Sequence, residues 1–220
     1  MFWSILLWIV TYVFRHIFGG AYPVPALGPP SIPYEITPVG PQSWEERTSL
    51  KSLIKRAMDQ YHKLTCLKFV ERKKQEAYVK IVKEDGCWSY VGKQGKNQTL
   101  SLGKGCEYVG TIVHELGHAI GLYHEQQRTD RNDSITVYMN NVLKGYESNF
   151  DMIPISHELR YTTYDCNSIM QYGEYAFSKK DGVLKTMEGK KADCKLQEPY
   201  DKPGLTNRDI DTVKRMYKCK

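Results

Sequence analysis

The densest group of chemically capable side chains in this chain is the run from His114 to Glu125, which reads HELGHAIGLYHE. His114 and His118 are four residues apart, so on a helix their imidazoles lie on one face, one turn apart. Both rings can therefore reach a single Zn²⁺, which binds histidine nitrogen at roughly 2.0–2.1 Å. Glu115 follows the first histidine, where its carboxylate can take a proton from a zinc-bound water without binding the metal.

A third histidine completes a ligand set of the catalytic type. Gly121 has no Cβ, so it can adopt a positive φ and end the helix, after which the chain can turn back and bring His124 to the metal. Three protein nitrogens leave a position open for water, as in catalytic rather than structural zinc sites. Two histidines around a glutamate also occur on the polar faces of surface helices, but the longer pattern with Gly121 and His124 is far more restrictive. The run therefore predicts a zinc hydrolase.

The extended pattern resembles that of the metzincin metallopeptidases, and the closing Glu125 is similar to the astacin family in particular. Ser168–Tyr172 resembles the Met-turn of that family. The resemblance implies that Met170 is a hydrophobic support beneath the zinc. It also implies that Tyr172 is an additional zinc ligand, which leaves the metal and donates its hydroxyl to the oxyanion; the alternative is a packed tyrosine near the turn. Other stretches similar to the family are Cys87–Gly92, Arg128–Arg131, Asn149–Phe150 and Tyr175–Ser178.

The likeness extends from about Ile32 to Cys219 and implies an α+β, metzincin-like zinc protease. Its N-terminal half would hold a twisted mixed sheet and two helices, and its irregular C-terminal half would end in a helix. The active-site cleft would lie between the halves, within a catalytic domain of residues 32–220. We expect one Zn²⁺ per chain and a secreted metalloendopeptidase with Glu115 as general base. It would hydrolyse internal bonds of extended peptide or protein substrates as a monomer, without nucleic acid or stable membrane association.

Two positions bear on maturation. Glu125 is either an exposed carboxylate at the helix end or, as the resemblance implies, makes a buried, water-bridged contact with the new N-terminus of the matured enzyme. The family's propeptide commonly carries Phe-x-Gly-Asp, whose aspartate blocks the zinc, whereas Phe18–Ala21 has no such aspartate. We therefore expect a propeptide that is absent or minimal, in a short segment 22–31; the alternative is that the sequence is truncated. Gln171 stands where the family usually has histidine, and a modest effect is expected because this residue is not a ligand.

Six cysteines agree with an oxidising compartment and allow fifteen pairings. The resemblance implies the pairs Cys66–Cys219 and Cys87–Cys106. Cys166 and Cys194 would then pair with each other near the Met-turn, a bridge that is not part of the common family set. The alternatives are two free thiols, or a cysteine that binds zinc in an inhibitory way.

The N-terminus predicts export. It is mostly apolar from Phe2 to Phe14, too short a run for the roughly 20 residues of a membrane-spanning helix. Together with the small residues Gly19–Ala21 it is typical of a signal peptide over residues 1–21, although no Lys or Arg precedes the apolar run. In a secreted protein, Asn97 and Asn132 begin glycosylation sequons.

Composition limits the classes of protein to which this chain can belong. A chain of 220 residues can bury a real core as one domain or two closely joined halves. The net charge of +6 comes from scattered lysines, and no motif supports nucleic-acid binding.

Lys190 and Lys191 fall near a region that shapes the primed-side pocket in the family, where they would favour acidic substrate residues. A solvated lysine pair is the commoner case.

Hydrophobic periodicity places the motif among regular elements. It predicts a helix over 44–61, a zinc-binding helix from near Gly110 to Gly121, and a last helix from Thr206 to Lys218 with a capping box to Asp209. Between the first two helices it predicts four strands, over 67–70, 78–82, 88–91 and 99–102. The resemblance implies that the fourth borders the cleft, where an exposed edge strand can bind extended substrate; the alternative is an ordinary edge strand guarded by Lys93, Lys96 and Lys104. After His124 the chain is expected to be largely irregular up to about Pro203.

Two rival functions remain at this level. A secreted binding protein could keep the fold without catalysis, but the sequence retains every residue of the zinc motif. A membrane-anchored peptidase would retain Phe2 to Phe14 as an uncleaved anchor.

Overall fold

The computed structural model describes residues 30–37 and 44–220. The expected signal peptide and most of the segment 22–31 lie outside these residues. A five-stranded sheet in the order β2-β1-β3-β5-β4 forms the floor of the N-terminal half. Its strands are β1 (Ser31–Ile36), β2 (Lys68–Glu71), β3 (Val79–Val82), β4 (Cys87–Ser89) and β5 (Gln98–Leu102). β4 is antiparallel to β5 and the other pairs are parallel, so the sheet is mixed, as expected.

Two helices pack with this sheet. Helix α1 (Trp44–Leu64) places Ile54, Met58 and Tyr61 in the core, each at most 2% exposed. Helix α2 (Val109–Ala119) is buried from Gly110 to Ala119. An eleven-residue helix with no solvated face must be positioned by its neighbours on every side, which suits a helix that presents catalytic groups.

One of the two edge strands of the sheet differs from the strand that the sequence predicted. β5 is hydrogen-bonded to β3 on one side and to β4 on the other, and Leu100, Ser101 and Leu102 are each 0% exposed. β4 pairs with β5 alone among the described residues. The expectation of an edge strand over 99–102 was therefore wrong, and β4 takes that place.

The C-terminal half consists of short elements. β6 (Ile135–Val137) pairs with β7 (Met187–Gly189) in an antiparallel ribbon, and several single turns of 3₁₀-helix occur between residues 125 and 201. Helix α3 (Asn207–Met216) follows, and the predicted capping box between Thr206 and Asp209 is present. Across the described ranges, no helix has both the length and the apolar character that crossing a bilayer would need.

The structure contains three disulfides. Cys66–Cys219 fastens the C-terminal end to the chain just after α1, and Cys87–Cys106 joins the start of β4 to the segment between β5 and α2. Cys166–Cys194 joins the segment before the Met-turn to the segment after β7. No cysteine is left free, so neither a free thiol nor a zinc-bound cysteine is seen.

Two apolar clusters form the core, and the Met-turn connects them. Met170 packs in the cluster shared by the sheet, α1, α2 and α3. Tyr172, two residues later, packs in the cluster around Phe150 and Met187 in the C-terminal half. The segment that was predicted to lie beneath the zinc histidines is therefore the place where the two halves meet.

Candidate metal centre

Helix α2 brings His114, Glu115 and His118 together, and its end brings in His124. Gly121 has φ of 110°, a conformation that favours glycine because a Cβ would clash. The N–H of Gly121 bonds to the His118 carbonyl at 2.8 Å and that of Leu122 to the Gly117 carbonyl at 3.0 Å, so the helix stops and the chain reverses. The predicted role of Gly121 is confirmed, and the last helical residue is Ala119.

The three histidines converge on one point. One ring nitrogen from each lies within 4.8 Å of the other two, and the Nε2 atoms of His118 and His124 are 3.0 Å apart. All three side chains are at most 5% exposed. Two ligands of a tetrahedral Zn²⁺ at 2.0–2.1 Å would be separated by about 3.3 Å. The spacing therefore fits one zinc ion.

Hydrogen bonds at the other ring nitrogen orient each imidazole. The Nδ1 atoms of His114 and His118 lie 2.8 Å from the carbonyl oxygens of Ile169 and Leu122, which only accept. Both Nδ1 atoms must therefore carry the proton, and both Nε2 atoms present a lone pair. His114 Nε2 is buried and has no hydrogen-bond partner among the described residues. Unpartnered lone pairs facing one point are the ligand set that zinc requires.

Burial also keeps the ligands neutral. It lowers the pKa of all three histidines, that of His118 to about 4. The rings are thus in the metal-binding form at neutral pH.

Glu115 lies beside this ligand set without joining it. Its side chain is 3% exposed, and its Oε2 atom has no hydrogen-bond partner among the described residues. Burial raises the pKa of this carboxyl group well above its usual value. A nearby divalent cation acts in the opposite direction and favours the carboxylate. A buried, unpartnered carboxylate next to a metal site is placed to accept a proton from water.

Tyr172 lies against the histidines from the C-terminal half. Its ring centroid is 4.3 Å from that of His124 and 5.6 Å from that of His114. Burial raises the pKa of Tyr172, and the Glu115 charge raises it further. The structure therefore brings the predicted fifth group to the site.

Met170 lies beneath α2. A Cβ on Gly117 would be 2.7 Å from the Met170 sulfur, so the helix backbone touches this side chain directly. The contact fits the expected supporting role, in which the residue is not a ligand.

Glu125 is held in a polar pocket. Its side chain is 13% exposed, and Oε1 accepts the N–H of Asp165 at 2.8 Å and a bond from Arg128 at 3.1 Å. Burial raises its pKa to about 8, while Arg128 lowers it. The alternative of an exposed helix-end carboxylate is therefore wrong. Glu125 lines a cavity of about 60 Å³ together with Arg128, Asp165 and Asp209.

The remaining candidates lie on the surface. Asn97 and Asn132 are exposed, as glycosylation would require. Lys190 and Lys191 are exposed too, and the Lys190 ammonium donates to the backbone carbonyl of Asn132.

The sequence analysis did not predict that two buried charged residues, Asp209 and Lys202, contact the Met-turn at this site. Asp209 accepts bonds from the Ser168 hydroxyl at 2.6 Å and the Ile169 N–H at 2.9 Å. Lys202 is 6% exposed and donates to the carbonyls of Ser168 and Gln171. Asp209 had been assigned only to the helix cap, and Lys202 sits in an irregular segment where a lysine is normally solvated.

Known proteins resemble this chain in sequence and in structure. Residues 31–218 match the model of the astacin family of peptidases. Astacin-like metalloprotease toxin 1 of Loxosceles intermedia is 40% identical over 190 residues, which cover 86% of this chain and 69% of the toxin. Zinc metalloproteinase nas-4 of Caenorhabditis elegans is 41% identical over 174 residues, 77% of this chain and 53% of the relative. The chain thus spans about two thirds of one relative and half of the other.

A solved structure agrees over its whole length. High choriolytic enzyme 1, a hatching enzyme zinc-protease from Oryzias latipes, superposes with a TM-score of 0.76 at 28% identity. The match covers 100% of this chain and 98% of that one. The mixed α+β architecture is therefore that of a known zinc protease.

Proposed function

This chain belongs to the astacin family and is a zinc metallopeptidase, and we propose that it hydrolyses internal peptide bonds of extracellular proteins, with Glu115 as the general base. One observation supports this mechanism above the others. The buried Nε2 lone pairs of the three histidines converge beside a carboxylate oxygen that has no partner of its own among the described residues. A protein that only bound peptides would gain nothing from burying such a carboxylate, which is costly unless it has a task.

The proposed reaction divides the proton transfers and the charge stabilisation between two residues. When bound, zinc polarises the scissile carbonyl and lowers the pKa of water in the site. Glu115 takes the proton from the attacking water and then delivers a proton to the departing amine. Burial raises the pKa of this carboxyl group, which makes the carboxylate a stronger base for the first of these steps.

Tyr172 would stabilise the oxyanion. Its ring packs on His124 and His114, which places the phenol against two of the residues that would bind the metal. We propose that the phenol interacts with the metal in the resting enzyme and donates to the oxyanion during the reaction. An interaction made mainly in the transition state raises kcat rather than substrate affinity.

Substrate would bind along the free edge of the sheet. Among the described residues β4, at one edge of the sheet, pairs with β5 alone, and we propose that an extended peptide adds as a further strand on its other side. We propose that the enzyme acts as a monomer on such segments of extracellular proteins.

Secretion rests on three supports. The chain has three disulfides, its two sequons lie at exposed asparagines, and residues 1–21 have the pattern of a signal peptide. In the secreted enzyme, Glu125 would contact the mature N-terminus through water, since its polar pocket can hold a cationic group.

The test compares the secreted, oxidised protein with Glu115→Gln, which keeps the shape of the side chain but removes the base. Zinc content and cleavage of a peptide library are measured for both. We expect about one zinc in each, and a rate lower by on the order of 10²-fold or more in the variant. If the parent binds zinc and cuts no peptide, or if the variant cuts as fast as the parent, the catalytic proposal fails and a binding protein becomes the better assignment.

A further inference from the structure

A single turn of 3₁₀-helix, Pro199–Asp201, lies beside the Met-turn and has a charged residue at each end. We propose that these two residues, Glu198 and Lys202, form a clamp that holds the backbone on both sides of Tyr172. In this role they position the phenol for catalysis. The inference rests on the role proposed above for Tyr172 and assigns the residues that hold it.

Lys202 fixes the backbone before Tyr172. Its ammonium donates to the carbonyl oxygen of Ser168 at 2.8 Å and to that of Gln171, the residue immediately before the tyrosine. The side chain is 6% exposed, so these bonds replace hydration that the charged group has lost. One ammonium thus joins the first and fourth residues of the Met-turn and keeps the turn closed.

Glu198 fixes the backbone after Tyr172. A Cβ on Gly173 would lie 2.7 Å from Glu198 Oε1 and 2.9 Å from its Cγ, so the carboxylate side chain packs directly on the glycine backbone. Burial raises the pKa of the Glu198 carboxyl group to about 7, and the neighbouring Gly173 backbone lowers it. Any larger residue at 173 would push Glu198 away, because its side chain occupies the space of the missing Cβ.

Tyr172 is consequently restrained through the peptide groups on both of its sides. Gln171 adds to this, since its Nε2 donates to the carbonyl oxygen of Tyr172 at 2.9 Å. With the main chain fixed, the phenol can change its position only by rotation of the side chain. A hydroxyl that must alternate between a metal and an oxyanion needs this kind of restraint, because small misplacements of a catalytic group are costly.

The same turn is also docked on the zinc helix. A Cβ on Gly110, in the first turn of α2, would lie 2.0 Å from the Pro199 carbonyl oxygen and 2.6 Å from that of Lys202. The backbone of the clamp therefore touches the element that carries His114 and His118. This contact sets the position of Tyr172 relative to the metal ligands rather than to its own half of the protein alone.

The experiment is a double-mutant cycle between Lys202→Met and Tyr172→Phe in the zinc-loaded protein, with kcat and KM measured on one peptide. Methionine keeps the length and packing of the side chain and removes its donors. We expect Lys202→Met to lower kcat on the order of 10- to 100-fold with KM little changed. In the Tyr172→Phe background the same substitution should change kcat less than about twofold, because the group it positions is gone.

A second readout does not depend on turnover. Cu²⁺-loaded protein should show a visible phenolate-to-copper charge-transfer band that is absent in Tyr172→Phe. We expect Lys202→Met to shift or weaken this band, and Lys202→Arg, which keeps the charge and donors, to restore it in part. Lys185→Met is the matched control. Lys185 pairs with Glu174 and Glu188 in the same half of the protein, and its loss should leave kcat and the band unchanged.

Equal losses of kcat from Lys202→Met in both backgrounds, with an unchanged copper band, would overturn the clamp and leave Lys202 a structural residue. If Lys202→Met does not fold, Glu198→Leu carries the same cycle, with Glu198→Gln as its conservative partner. Failure of the proposed function can be told apart from failure of the clamp, because the parent would then cut no peptide or Tyr172→Phe would not lower kcat.

Discussion

The Nε2 atoms of His118 and His124 lie 3.0 Å apart, and both face inward. His118 cannot donate across this gap, because its proton is on Nδ1, bonded to the Leu122 carbonyl. The Nδ1 of His124 lies 3.2 Å from the Gln127 side-chain oxygen, which favours the same tautomer. Two lone pairs at this distance repel each other, and a cation between them converts the repulsion into two bonds.

Zinc should therefore contribute strongly to the stability of the fold. Removing it with a chelator leaves the buried lone pairs of His114, His118 and His124 unpaired. At free zinc a thousandfold above Kd, binding stabilises the folded state by about 4 kcal/mol. Thermal unfolding across a series of buffered zinc concentrations should show Tm rising with free zinc. Magnesium at the same concentrations is the control and should have no effect, and a Tm independent of zinc would contradict the assigned ligand set.

Tyr172→Phe should reduce turnover without removing the metal. Phenylalanine keeps the ring that packs on His124 at 4.3 Å and loses only the hydroxyl. The loss of one oxyanion donor lowers kcat by about 10²- to 10³-fold. Steady-state kinetics and zinc analysis on the purified variant test this. Unchanged kcat would show that the hydroxyl has no part in the reaction, and lost zinc would show that it is needed for metal binding.

Two glycines of helix α2 should respond differently to alanine. At Gly110 the new methyl group would meet two backbone carbonyl oxygens, at 2.0 and 2.6 Å, which cannot move away without shifting the Pro199–Asp201 turn. At Gly117 the nearest atom is the Met170 sulfur at 2.7 Å, on a flexible side chain. We expect Gly110→Ala to cost about 1–3 kcal/mol or more, and Gly117→Ala to cost less. Urea denaturation measures both, and equal costs would mean that the turn yields easily.

Asp209→Ala should destabilise the protein more than the loss of a helix cap alone. The carboxylate accepts the Thr206 N–H in the capping box and the Ile169 N–H in the Met-turn, both at 2.9 Å. Each buried donor left unpaired costs about 1–3 kcal/mol. Thr206→Ala, which removes the capping side chain and its bond to Asp165 but spares the Ile169 bond, should cost less, about 0.5–2 kcal/mol. Chemical denaturation of the two variants under one condition gives the comparison, and an equal or smaller loss for Asp209→Ala would contradict it.

Replacing Cys166 and Cys194 together by serine should lower the stability of the oxidised protein. The bridge closes a loop with a sequence separation of 28, for which the chain-entropy relation gives about 3.5 kcal/mol. The loss should be accompanied by reduced turnover, since Cys166 lies four residues before Met170. Denaturation without reductant measures the stability, and an unchanged midpoint would show that the bridge adds nothing to the fold.

The zinc site was predictable because its residues are close in sequence. Helical spacing places His114 and His118 on one face, and a glycine at 121 permits the reversal that brings in His124, so local rules suffice. The capping box at Thr206 was predictable for the same reason. The α+β class, the mixed sheet and the irregular C-terminal half followed from the family resemblance and are confirmed.

Pairings over long sequence separations were not predictable. A run of strand-forming residues does not indicate which strands it pairs with. β5 was therefore predicted to be an edge strand, although it lies between β3 and β4. Ser31–Ile36 lies outside the four strands predicted from periodicity, yet β1 pairs with both β2 and β3. The contacts of Lys202 and Asp209 with the Met-turn were not predicted, because their partners lie more than 30 residues away in sequence.

The contact between Asp209 and Ile169 has a consequence for biosynthesis. Ile169 accepts the proton that orients His114, and its own N–H is held by Asp209, which is translated 95 codons after His114. The active site therefore cannot be complete while the ribosome is still making the segment between these two residues. Because these contacts form late in synthesis, the peptidase has no complete active site with which to cut its own nascent chain.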